Sequence, residues 1–154
     1  MEIWFYHMTR APLESALPSI LRQSLARGWR VVVQTPDESR IAGLSAKLWG
    51  ASETSFIAHG SAADGDADMQ PVFLTSALDA PNGAAVRIFV GGAQVEPFLA
   101  TPEAASCKRC LLMFNGDDPE ELANARDQWR ALKKRGGEMS YWQQGEAGWE
   151  KKAT

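Results

Sequence analysis

Two cysteines three residues apart, Cys107-Lys108-Arg109-Cys110, are the first pair in this sequence able to do chemistry. Flanking cations lower a thiol pKa and so favour the nucleophilic thiolate. A redox CxxC of the thioredoxin kind opens a helix, whereas this one leads into the apolar run 110–114 (CLLMF), which favours a structural pair. A zinc site needs about four ligands, and only His7 and His59 are left to complete one. Asp64-x-Asp66-x-Asp68 resembles the opening of a calcium loop. Such a loop needs glycine at its sixth position and glutamate at its twelfth, and Met69 and Thr75 stand there instead. An acidic, solvated loop is therefore expected. His7 closes an apolar run, at the strand end where α/β sheets bind ligands, and could act as a general base. No nucleophile or partner carboxylate is identifiable beside it, so a structural or binding role is favoured for His7, and equally for His59. Neither cofactor nor metal is expected. The catalytic alternative is a small thiol-redox or hydrolytic enzyme using Cys107/Cys110 or His7.

A second constellation is cationic and aromatic. Arg126, Arg130, Lys133 and Lys134 recur at helical spacing and share one face, with Trp129 beside them. Lysines at a helix C-terminus satisfy the dipole, which accounts for Lys133 and Lys134 but less well for Arg126 in mid-helix. The other reading is a docking patch for an acidic, apolar-ended peptide. Single-stranded nucleic acid would use the same chemistry, cations plus a stacking ring, so the patch does not name its ligand.

The elements that must carry these residues alternate. Residues 3–7 predict a buried strand, and Leu13, Leu17, Ile20, Leu21 and Leu25 mark a helix, with Pro18 expected to kink or split it. Residues 29–34 (WRVVVQ) predict a strand and Ile41, Leu44, Leu48 and Trp49 a second helix. Short links between strand and helix predict parallel strands with right-handed crossovers. Residues 72–75 and 86–90 read as strands joined by a turn at Pro81-Asn82-Gly83, and 91–106 read as irregular. Asp117, Asp118, Glu120 and Glu121 open the strongest helix, which ends at Gly136-Gly137. Residues 139–143 are expected to be the final strand and 149–154 a basic tail.

There is no Walker lysine, no dinucleotide glycine fingerprint and no Gly-x-Ser-x-Gly elbow. The expected architecture is thus α/β, a Rossmann-like three-layer sandwich with a mostly parallel central sheet and no nucleotide-binding motif, in one domain over 1–154. A net charge of −3 weighs against a free-standing nucleic-acid binder. Residues 1–6 lack a basic lead-in and carry Glu2, so no signal peptide is expected, nor a membrane contact, and the cytoplasm is the default.

Several phrases in order resemble the DNA polymerase III chi subunit family, in its alphaproteobacterial form. They are Phe5-Tyr6-His7, Pro12-Leu13-Glu14, Gly28-Trp29-Arg30-Val31-Val32-Val33, residues 44–49 (LSAKLW), residues 55–60 (SFIAHG), Gln70-Pro71-Val72, Phe114-Asn115-Gly116-Asp117-Asp118, Gln128-Trp129-Arg130-Ala131 and Tyr141-Trp142-Gln143. The resemblance implies a non-catalytic clamp-loader subunit with two protein contacts and only indirect contact with DNA. One surface would bind the acidic C-terminal tail of single-stranded DNA-binding protein, through Asn115, Arg126, Trp129 and Arg130, with Lys133 supporting. Leu122 stands where some members carry a further lysine. The other surface would bind the psi subunit or a helicase-like partner, through Trp49 and Phe56 with His59 nearby.

Overall fold

The computed structural model describes residues 1–9, 13–50, 59–61, 64–146 and 148–153, without the side chains of residues 14, 48–50 and 153. Eight strands form one sheet in the order β3-β4-β2-β5-β6-β1-β7-β8. They are β1 (Glu2–Met8), β2 (Val31–Gln34), β3 (His59–Ser61), β4 (Val72–Thr75), β5 (Val86–Phe89), β6 (Arg109–Asn115), β7 (Glu138–Gly145) and β8 (Gly148–Ala153). Every neighbouring pair is parallel except β7 with β8. The expected α/β sandwich with a mostly parallel sheet is therefore observed.

Alternation along β1 shows how the layers are filled. Trp4, Tyr6 and Met8 pack on one face with Leu17, Ile20 and Leu21 of α1 (Leu13–Ala26) and Leu44 of α2 (Ser39–Gly50). Ile3 and Phe5 pack on the other with Phe98 of the short α3 (Glu96–Leu99) and with Ala125 and Leu132 of α4 (Pro119–Lys134). Side chains alternate across a strand, so a central strand buried on both faces must be apolar at nearly every position.

Three expectations need correction. Pro18 does not split α1, which runs unbroken through it. The ring removes one backbone hydrogen bond near the helix start, while Leu17, Ile20 and Leu21 are buried on either side of it and hold the helix against the sheet. Residues 72–75 and 86–89 are strands with a turn at Ala80–Gly83, as expected, and β2 lies between them in the sheet. Residues 91–106 contain α3 and a 3₁₀ turn at Pro102–Ser106. Pro97, second in α3, and Pro102, first in the 3₁₀ turn, pre-set helical φ. The presumed basic tail is strand β8, paired antiparallel to β7 with Trp142 opposite Lys151. Lys151 also lies over the Trp142 ring at 5.8 Å, so its charge sits on an aromatic face.

The helix stop signals held. Gly28 follows α1 at φ 80° and Gly136 follows α4 at φ 79°, a backbone region that glycine enters without a Cβ penalty. Among the described residues, no helix is long and apolar enough to cross a membrane.

Candidate docking site on helix α4

Helix α4 is fixed at its start by local chemistry. Asp118 caps it, its Oδ1 accepting from the backbone N–H of Glu120 at 2.9 Å and of Glu121 at 3.3 Å. Pro119 then occupies the first turn, where a missing N–H costs nothing. Its buried face carries Ala125, Gln128 and Leu132. Gln128 spans to the loop before α3, accepting from Val95 N at 2.9 Å and donating to Ala93 O at 3.1 Å. With that face pinned, the turn of the helix decides where Arg126, Trp129, Arg130 and Lys133 stand.

They stand at the margin facing β1, β6 and β7. Trp129 is half-buried, set edge-on to Phe5 at 5.1 Å and to Tyr141 at 5.6 Å. Lys133 Nζ lies over the exposed side of the indole, 5.5 Å from the ring centre. Arg126 is exposed, and it makes no ion pair with the described residues. Arg130 pairs with Asp127 at 3.2 Å, with both side chains at least 70% exposed. A pair so exposed contributes under about 1 kcal/mol and is easily exchanged. Asn115 is exposed at the end of β6, its side-chain oxygen accepting from Asp117 N at 3.0 Å. Asn115 thus stands at the exit of β6 and Arg126, Trp129, Arg130 and Lys133 follow along α4 as it runs back across the sheet.

Sequence reasoning gave no role there to Tyr141, Phe114 or Gly116, and left His7 open. His7 stacks on Phe114 at 4.9 Å and shares a 2.8 Å hydrogen bond between its Nδ1 and Tyr141 Oη. Gly116 passes so close to the imidazole that a Cβ there would meet Nε2 at 1.8 Å. Burial holds the His7 pKa below its ordinary value, and Arg126 lowers it further against the opposing pull of Asp117. Burial also raises Tyr141, with Arg126 again acting on it in the opposite sense. The site is therefore a partly exposed aromatic surface of His7, Trp129 and Tyr141, backed by buried Phe5 and Phe114 and bordered by Arg126, Arg130 and Lys133. Its His7 and Asn115 end lies where β1 leads to α1 on one face while its neighbour β6 leads to α4 on the other. Open α/β sheets bind ligands at such crossings.

The sequence matches the family described as "DNA polymerase III chi subunit, HolC" over residues 1–140. The chain belongs to the DNA polymerase III chi subunit family. It is also similar to "Probable DNA polymerase III subunit chi" of Rickettsia prowazekii (strain Madrid E), an alphaproteobacterial relative, at 26% identity over 98 residues. That match takes in 64% of this chain and 59% of the relative's length.

The second expected contact is less well placed. Phe56 lies outside the described residues, and Trp49 lies in α2 with its side chain outside them. His59 is 7% exposed and its Nε2 hydrogen-bonds Ser45 Oγ at 2.9 Å, which ties β3 to α2 rather than offering the ring to a partner. Cys107 and Cys110 are buried at the entry to β6. His7 faces Phe114 at the exit of the same strand, so the two reactive candidates sit at opposite ends of the sheet. Among the described residues, no three His, Cys, Asp or Glu side chains are grouped to hold a metal.

Proposed function

We propose that this chain is a non-catalytic accessory subunit of the DNA polymerase III clamp-loader assembly, and that its α4 face binds the acidic C-terminal tail of single-stranded DNA-binding protein. One observation carries the reading. An exposed arginine, Arg126, stands beside an indole on a rim of three cations, with no carboxylate of the described chain paired to it. The tail's terminal carboxylate would take the guanidinium in a charge-assisted bond, and its apolar last side chain would pack against Trp129. Each contact is modest, but a coated strand offers many tails, and avidity would hold the assembly to it. The resemblance to the family implies tail contacts at the residues of this face, and that supports the reading.

Attachment to the rest of the assembly, through the psi subunit or a helicase-like partner, belongs in this reading to the region of Trp49 and Phe56. Contact with DNA would then be indirect, through the coating protein.

Fluorescence titration with a tail peptide tests the proposal. A charge-assisted hydrogen bond contributes about 1.5–3 kcal/mol, and solvent exposure reduces that to about 1–2. Arg126→Ala should therefore weaken binding roughly 5- to 30-fold with unchanged melting. Arg130→Ala should cost less, because Asp127 already occupies its guanidinium. Equal affinity for Arg126→Ala and the parent would reject the assignment. Tight binding of free single-stranded DNA, equally weakened by the same variant, would favour nucleic acid as the occupant.

A further inference from the structure

The two cysteines that the docking role leaves unused have an unusual neighbour. Arg87 of β5 is 1% exposed, among the largest fully buried side chains of the described chain. Its Nε donates to Gln34 Oε1 at 2.9 Å, Nη1 to Asp79 O at 2.7 Å and Nη2 to Ala77 O at 2.7 Å, and the guanidinium lies 4.4 Å from the centre of the Phe98 ring. All these partners are neutral. Burial lowers its pKa to about 10, against the opposing pull of Asp79 first and of Cys110, Cys107 and Glu103 after it, so it stays charged at neutral pH. A buried charge is expensive unless opposite charges lie near it, so the groups around Arg87 are held in an electropositive setting.

Beside the Asp79 carboxylate, the groups that can supply negative charge to Arg87 include two sulfurs. Arg87 is the direct strand partner of Cys110, and Cys107 Sγ lies 4.0 Å from Cys110 Sγ. Cys110 is wholly buried, its sulfur also touching Met1 Sδ at 3.5 Å, while Cys107 keeps 6% exposure in the loop that leaves the 3₁₀ turn. The two thiols are therefore unequal. The hydrogen bond from Cys110 and the charge of Arg87 both hold the Cys107 thiol below its ordinary range, and the same contact together with burial pushes Cys110 up.

We propose that Cys107 and Cys110 form an oxidisable pair that a small hydroperoxide converts into an intramolecular disulfide, with Cys107 as the attacked-from sulfur, Cys110 as the resolving one and Arg87 as the buried counter-cation. Cys107 ionises and its thiolate attacks the peroxide. The O–O bond breaks, one oxygen forms a sulfenic acid on Cys107, and the other leaves with the released proton as alcohol or water. The Cys110 sulfur then attacks Cys107, the S–O bond breaks, and hydroxide takes the Cys110 proton and leaves as water. Two thiols lose two electrons and the peroxide gains them. Closure needs the sulfurs to move from 4.0 Å to about 2.05 Å, and Cys107 lies outside any strand, where the backbone is freer to follow.

The test uses the full reduced chain and hydrogen peroxide. After treatment, the unfolded product should be monomeric, two hydrogens lighter, and closed to maleimide at both positions. Before treatment, iodoacetamide should label Cys107 in the native protein at least about tenfold faster than Cys110. Cys110→Ser should trap the sulfenic acid on Cys107 for capture by dimedone, and Cys107→Ser should leave Cys110 unreactive. Two free thiols after peroxide, a disulfide formed only between chains, or equal native labelling of the two cysteines would overturn the proposal. The labelling and mass measurements use the parent chain, so they decide it even where a serine variant fails to fold.

Discussion

Replacing Gly116 with alanine should unsettle the docking site from beneath. A Cβ at 116 would lie 1.8 Å from His7 Nε2, 2.4 Å from Cδ2 and 3.1 Å from Cε1. The backbone cannot easily retreat, because Gly116 N–H donates to Met8 O at 2.9 Å. The imidazole must therefore leave its place between Phe114 and Tyr141. Losing the Tyr141 hydrogen bond costs about 1 kcal/mol, and losing the stack on Phe114 about 0.5–1.5 kcal/mol. Residual crowding adds about 1 kcal/mol or more. Gly116→Ala should thus destabilise the protein by about 2–4 kcal/mol, or a melting-point drop of roughly 5–15 °C for a chain of this size. Denaturant unfolding of Gly116→Ala, His7→Ala and the double variant gives the decisive cycle. With the imidazole gone the methyl has room, so the double variant should cost little more than His7→Ala alone. A Gly116→Ala cost under about 0.5 kcal/mol, or costs that simply add, would refute the reasoning.

Three further outcomes follow from the same contacts. The His7 pKa is held down by burial and by Arg126, so its stabilising effect is complete above the ordinary histidine pKa and is lost as pH falls through the lower folded value. Imidazole titration by NMR should show the His7 pKa rise in Arg126→Ala, and a variant value equal to or below the parent's would contradict the stated cause. A carboxylate bound beside Arg126 should also raise the His7 pKa, which a titration with and without tail peptide would detect. Asp118→Ala removes the cap that holds the first turn of α4 and should cost about 1 kcal/mol in thermal unfolding, whereas Asp118→Asn should restore most of it.

Much of the framework can be read along the chain, for identifiable reasons. Residues 31–33 and 110–114 are apolar at consecutive positions because both faces of a central parallel strand are covered. The capping Asp118, Pro119 and the left-handed Gly136 mark α4 by local chemistry alone. Strand β8 is not visible in that way, since Trp149 and the lysines after it owe their strand conformation to pairing with β7. The order of strands is also hidden, because β2 separates β4 from β5 only through contacts between distant segments. The docking site divides along the same line. Helical spacing places Arg126, Arg130 and Lys133 on one face. The aromatic surface beside them depends on the register that sets His7 beside Phe114 in β6 and Gln143 in β7, and no local pattern encodes it.

The contact between the α4 rim and a chain-terminal carboxylate is tested most directly by amide NMR titration with two peptides. One is the acidic tail with a free C-terminus, the other the same peptide amidated there. The free acid should shift the signals of residues 115–117 and 126–133 and the Trp129 indole, and amidation should weaken binding about tenfold. Equal affinity of the two peptides, or shifts confined to another face while α4 stays silent, would contradict it.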